Sequence, residues 1–257
     1  MMFRSALSAL ALGLLSTTAS TGPAAAQAAT QAAAAAPATA VETEAIQAVQ
    51  RMRAFLGTLT TFEVRSETTQ DLVLDTGQKV QLDGVVTYKV RRPNGFQIKV
   101  ETRGKVRDFL YDGKTLTVYA PTLRFYAQAP APATIGQTLD DASNRYGIDF
   151  PLEDLFRWSE PGDDTPKVTM AMVVGDATID GADTTQYLLR QGDVDWQIWI
   201  EKGDKPLPRK IVITDRTDDS QPAYSVRLSW NLNAPINDAT FAFRPAKDDK
   251  PIKLTAR

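Results

Sequence analysis

Neither cysteine nor histidine occurs among the 257 residues of the chain. Without cysteine there is no disulfide, no thiolate nucleophile, no iron–sulfur cluster, no cysteine-ligated zinc and no N-terminal cysteine to carry a lipid. Without histidine there is no Ser-His-Asp or Cys-His arrangement, no HExxH zinc site and no side chain that titrates near neutrality as a general base. Any catalysis would have to rest on carboxylates, lysine, tyrosine, serine or threonine, and the sequence is read as that of a protein other than an enzyme. An excess of positive charge is missing too: 29 Lys and Arg stand against 31 Asp and Glu, a net charge of −2. Phosphate backbones are bound by basic residues in excess on one face, so nucleic acid is not expected as a partner. No cofactor and no metal is expected.

What is present is an ordinary globular composition, 43% hydrophobic and 23% charged, too apolar for a disordered chain. The length permits one large all-β domain. Met1 to Arg4 is a short basic start, Ala6 to Leu15 an apolar run, and small residues follow through Ala28. That is the order of a secretory signal peptide, and the apolar run is well short of the ~20 residues that span a bilayer. The expected organisation is a signal peptide over residues 1–28, cut after Ala28 or, two residues earlier, after Ala26. An Ala-rich linker follows over 29–41, then one domain over 42–250 and a tail over 251–257. No later segment is long and apolar enough to cross a membrane, so no span is expected in the mature chain.

From Glu42 to Leu59 the residues Ile46, Val49, Met52, Phe55 and Leu56 recur at helical steps, which predicts one amphipathic helix. The period then changes to two. Val80, Leu82, Gly84, Val86, Tyr88 and Val90 alternate with a set that includes Lys79, Gln81, Asp83, Lys89 and Arg91, and after the turn Arg92-Pro93-Asn94-Gly95 the residues Phe96, Ile98 and Val100 alternate with Gln97, Lys99 and Glu101. Leu116 and Val118 continue the series. Val168 to Val174, Tyr187 to Leu189, Val194 to Ile200, Ile211 with Ile213, and Tyr224 to Trp230 form a second group. Between the groups, Ile135, Leu139, Ala142 and Tyr146 lie at helical steps, and Pro151 opens a short run with Leu152, Leu155, Phe156 and Trp158. A long antiparallel sheet with one apolar face can bury that face by curling around these helices. The predicted fold is mainly β, an open half-barrel with a helical plug or lid.

The run Gly84 to Pro93, closing on Arg92-Pro93-Asn94-Gly95-Phe96, resembles a strand and turn of the Lol-type periplasmic lipoprotein carriers. Asp112-Gly113-Lys114-Thr115-Leu116 with Tyr119-Ala120-Pro121 is similar to their next hairpin. Trp199-Ile200, Leu207 to Asp215 and Phe241-Ala242-Phe243-Arg244-Pro245 resemble further strands, most like those of an uncharacterised family of predicted bacterial periplasmic proteins in that superfamily. The resemblance implies about eleven antiparallel strands in half a barrel, a cavity for acyl chains and a Gram-negative periplasm. It implies a hydrophobic ligand, the acyl chain of a lipid or lipoprotein; an envelope sensor or adaptor that binds a protein partner is the alternative.

The apolar strand positions Val80, Leu82, Val86, Tyr88, Phe96, Ile98, Val100, Leu116, Val118, Trp196 and Ile198 are either plain core or the wall of that cavity. Alternation alone does not distinguish the two. Arg92 is either an exposed turn residue or, as the resemblance implies, a latch whose guanidinium bonds lid carbonyls. Ile135, Leu139, Tyr146, Leu155, Phe156 and Trp158 are the lid candidates. The acid pairs Asp140-Asp141, Asp163-Asp164, Asp218-Asp219 and Asp248-Asp249 fit neither a glycosidase pair nor a calcium loop and are read as solvated turn charges.

Overall fold

Helix α1, Thr43–Thr58, buries Ala45, Ala48, Met52 and Leu56, with Ile46, Val49 and Phe55 half-buried beside them. The two alanines on the most buried side keep the helix close to what it packs on. The computed structural model describes residues 41–150, 152–153, 156 and 168–256. The readings for the signal peptide, for the linker up to residue 40, and for Pro151, Leu155 and Trp158 lie outside the described residues.

Twelve strands follow among the described residues. β1 (Thr61–Val73), β2 (Lys79–Arg91), β3 (Gly95–Thr102), β4 (Lys105–Tyr111), β5 (Thr115–Ala120) and β6 (Phe125–Pro130) form one antiparallel meander. After α2 (Ile135–Tyr146), β7 (Val168–Ile179), β8 (Ala182–Gln191), β9 (Val194–Glu201), β10 (Pro208–Asp215) and β11 (Ala223–Asn231) form a second. The first strand of one meander and the last of the other, β1 and β11, pair antiparallel and fuse them into one sheet. β12 (Lys250–Pro251) adds two residues parallel to β6. The sheet stays open, with β7 and β12 at its edges. The eleven antiparallel strands of the sequence reading are therefore joined by a twelfth, short one.

The turns at residues 74–78, 103–104, 192–193 and 216–222 lie at one end of the sheet, here the hairpin end. Those at 92–94, 112–114, 180–181 and 202–207 lie at the other, the Arg92 end. Alternate residues point to one apolar inner face. Across β11, β1, β2, β3 and β4, the row Trp230, Val64, Tyr88, Ile98 and Phe109 is in register. Val64, Tyr88 and Ile98 are fully buried there with Met52 and Leu56 of α1 and Leu139 of α2. Each such side chain contributes about 1.5–3 kcal/mol.

α2 starts where the Thr134 side chain accepts from the Gln137 N–H at 3.3 Å. It ends at Gly147, whose φ of 62° turns the chain while its N–H bonds the Ser143 carbonyl. Glycine suits that left-handed position.

The segment Phe241 to Pro245, expected as a strand, is instead part of an irregular strap across the outer face of the first meander. A 3₁₀ turn at Asp238–Thr240 leads into Phe241, which is fully buried against Gly95 and Arg91. Arg91 also pairs with Asp238. The Phe243 ring lies 5.0 Å from both Tyr119 and Tyr126. Lys250 and Ile252 then bond the Arg124 and Tyr126 carbonyls, each at 2.8 Å. The alternating phenylalanines anchor the strap through rings rather than through a ladder, and the sheet pairing takes in Pro251, the first residue of the stretch read as a tail. At the other edge, Val41 bridges Ala171 of β7, and Glu42 bonds it through its N–H.

Candidate functional site

The inner face carries the sequence-predicted candidates, and the structure separates them into three groups. Val86, Tyr88, Phe96, Ile98, Leu116 and Ile198 are buried at 0–2% exposure. Val100, Val118 and Trp196 are half-buried against them. Val80 departs from the expectation: it is 39% exposed, with Leu82 half-buried next along the strand. The reason is strand length. β11 stops pairing with β1 at Gln70 and β3 stops pairing with β2 at Gly84, so the β1–β2 hairpin runs beyond its neighbours. Leu72, opposite Val80, is exposed with it.

An aromatic cluster covers the inner face over β2 to β4. Phe96 lies 5.3 Å from Tyr111 and 5.8 Å from Phe150, and Phe109 packs edge-on against Phe150 at 5.0 Å. Phe156 sits 5.8 Å from Tyr88. Of the lid candidates, Ile135, Leu139 and Phe156 are buried in this cover and Tyr146 is half-buried. Phe150 and Phe109 were not singled out from the sequence. Phe150 stands between Asp149 and Pro151 with no periodic neighbour, and no pattern marks it.

The cover is tied to the Arg92 end. The Ile135 N–H bonds the Pro93 carbonyl at 2.9 Å, and the Tyr111 hydroxyl donates to the Pro132 carbonyl. Arg92 donates from Nη1 to the Phe156 carbonyl over a long 3.4 Å, with its guanidinium carbon 6.0 Å above the Phe62 ring. One turn thus contacts both parts of the cover.

Polar groups on the inner face are few. Ser66 donates to the Val86 carbonyl at 3.1 Å and is hydrogen-bonded to the Tyr88 hydroxyl, whose pKa burial raises far above the usual phenol value. The Trp230 indole N–H donates to the Pro208 carbonyl at 2.8 Å. Tyr224 is pushed up to about 12 by burial, so it remains protonated at neutral pH. Its hydroxyl and the indole N–H of Trp196 are buried without a hydrogen-bond partner among the described residues.

Two grooves lie away from this cluster. One, of about 520 Å³, is on the outer face and is lined mostly by Glu67, Thr69, Asp83, Glu101, Ser225 and Arg227, a polar surface unsuited to an acyl chain. The other, about 270 Å³, lies where α1 meets β8 and β9, with Ala48, Tyr187 and Ile200 among its lining residues and Glu44, Arg51 and Lys202 adding charge. Among the described residues no group of three acidic side chains could hold a metal ion, and no helix is long and apolar enough to cross a membrane.

Residues 45–255 match the family described as predicted periplasmic protein (DUF2092), and the chain belongs to that periplasmic family. No curated protein matches it. Solved structures similar to the chain include LprF from Mycobacterium bovis, 16% identical, covering 77% of this chain and 96% of that one with a TM-score of 0.44. The lipoprotein LppX from Mycobacterium tuberculosis is 16% identical, covering 76% and 97% with a TM-score of 0.45. The LolA superfamily protein NE2245 from Nitrosomonas europaea is 12% identical, covering 77% and 97% with a TM-score of 0.34.

Proposed function

We propose that the protein is a periplasmic binding or carrier protein for an acyl-bearing ligand, a lipid or the acylated part of a lipoprotein. Export with cleavage after Ala28 delivers it, and the ligand lodges between the inner face and the α2–Phe156 cover. The observation that carries this reading is the nature of the cover. Phe150 and Phe156 shield an aromatic wall of Tyr88, Phe96 and Phe109, yet neither belongs to the twelve-stranded sheet. The cover can lift without breaking a strand pair.

An entering chain replaces the two rings. Re-exposing two phenylalanines costs about 3–6 kcal/mol, and each buried methylene returns ~0.8 kcal/mol. About four to eight buried methylenes offset the rings, so affinity should be absent for short chains and rise with chain length beyond that. The test is displacement of an uncharged hydrophobic fluorescent probe by a series of acyl esters of increasing length. Length-dependent displacement by the long members supports the reading; a probe that never binds the folded protein overturns it.

An adaptor that docks a protein partner is the second reading. It is favoured by β7, an edge strand that Val41 and Glu42 cover at Ala171 and Val173 but that pairs with no further strand beyond them among the described residues, where Val174 is 50% exposed. Extended segments add to edges of this kind.

A further inference from the structure

Trp196 of β9 and Tyr224 of β11 both stand opposite Ile213 of β10 and share its inner-face row. Two interstrand spacings separate their backbones by about 10 Å, and both side chains are long enough to reach into the space between. Their polar atoms, the indole N–H and the phenol hydroxyl, are buried with no hydrogen-bond partner among the described residues. Elsewhere on the same face the fold satisfies such groups: Trp230 bonds the Pro208 carbonyl, Ser66 the Val86 carbonyl, and Tyr111 the Pro132 carbonyl. Native interiors leave few donors unpaired, because a buried unpaired donor forfeits its bond to water. Two of them in one row at the hairpin end, where the facing Gln70 of β1 is exposed and makes no hydrogen bond to either, call for a common acceptor.

The chemistry of that acceptor follows from the donors. An indole N–H only donates, and a phenol held protonated donates as well, so the complement is an oxygen with lone pairs to offer both. The neighbouring inner positions of β9, β10 and β11 toward the Arg92 end are Ile198, Ile211 and Val226, all apolar, and toward the hairpin end the next inward residue of β10 is the acid Asp215, opposite Val194. A carboxylate would enter without a counter-charge, which a buried site disfavours, whereas a neutral carbonyl would not.

Resting on the carrier reading above, we propose that Trp196 and Tyr224 form a hydrogen-bond-donor subsite for a neutral acyl carbonyl, the ester or amide carbonyl of an acylated ligand. The subsite lies at the hairpin end, away from Arg92, so the carbonyl is fixed there and the alkyl chain runs along the apolar face. The pair selects esters and amides over free fatty acids and over plain alkanes.

The experiment titrates wild type, Trp196→Phe, Tyr224→Phe and the double variant with the methyl ester of a long-chain fatty acid and with an alkane of equal length. Both are read by probe displacement. Wild type should prefer the ester. Each single variant should lose about three- to tenfold in ester affinity and the double variant about tenfold or more, with alkane affinity unchanged. The carbonyl stretch of an isotope-labelled bound ester should move to higher frequency in the double variant. Ligand-free Tyr224→Phe should melt no lower than wild type, since it removes an unpaired hydroxyl.

Parallel loss of ester and alkane affinity, or an unmoved carbonyl stretch, overturns the subsite. So does a marked fall in the melting temperature of ligand-free Tyr224→Phe, which would show that the hydroxyl is already paired. If wild type binds ester and alkane equally and the variants change neither, the subsite fails while the carrier reading stands. If wild type binds neither, both fail.

Discussion

Ile135 donates its backbone N–H to the Pro93 carbonyl at 2.9 Å, which ties the first residue of α2 to the turn that carries Arg92. Arg92 itself reaches the Phe156 carbonyl at 3.4 Å. A four-residue turn thereby holds the start of the cover and a residue near its far side. Any opening of the cover must loosen one contact or the other.

Arg92→Ala leaves the Pro93–Ile135 bond and removes the Phe156 contact. A charge-assisted bond contributes about 1.5–3 kcal/mol, and the length of this one places it at the low end. Amide exchange should accelerate about tenfold across Phe150 and the Phe156 segment, and less within α2. Exchange indistinguishable from wild type in both would return Arg92 to the status of an ordinary turn residue, whose replacement costs about ±0.5 kcal/mol.

Alternation made most of the sheet legible. Val86, Tyr88, Val90, Phe96 and Ile98 are buried as their period requires. β1 was hidden because only Phe62 and Val64 obey the pattern: its next inward residues, Ser66, Thr68 and Gln70, are polar, and polar on both sides reads as no strand. Val80 follows the pattern and is nonetheless exposed, since its burial depends on where β3 and β11 stop, which no local sequence states. In α1 the helical spacing of large residues located the helix, while Ala45 and Ala48, which that spacing did not single out, are buried beside Met52 and Leu56. The unpaired donors of Trp196 and Tyr224 depend on what three strands bring together, and each residue alone looked like core.

The Phe241 ring lies where a side chain on Gly95 would go: a Cβ there would come within 2.9 Å of two ring atoms. Gly95→Ala should therefore cost about 1–3 kcal/mol through overpacking, and Phe241→Ala about 3–5 kcal/mol through the cavity it leaves. In a Phe241→Leu background the cost of Gly95→Ala should fall by about 1 kcal/mol, a coupling read from a denaturant-unfolding double-mutant cycle. Additive costs would mean that the strap yields to Gly95 without strain.

Asp108 lies on the outer face across from Lys99 and Tyr119, with its Oδ1 buried and without a hydrogen-bond partner among the described residues. Burial raises its pKa, opposed by Lys99 and aided by Glu101. A carboxyl whose folded pKa exceeds the unfolded value of about 3.9 destabilises the fold when ionised, and that cost vanishes below the unfolded pKa. Asp108→Asn should gain about 0.5–1 kcal/mol near pH 7 and nothing near pH 3. Thermal unfolding across that range checks it; a variant less stable at neutral pH would show that the ionised carboxylate is stabilising.

Native mass spectrometry of the protein isolated from the periplasm, followed by lipid extraction, tests the carrier reading most directly. The account predicts a bound population whose added mass is that of an acyl ester or amide, released on denaturation, and diminished in the Trp196→Phe/Tyr224→Phe double variant. Protein recovered only at its own mass, and unable to take up a long-chain acyl ester added afterwards, would contradict it.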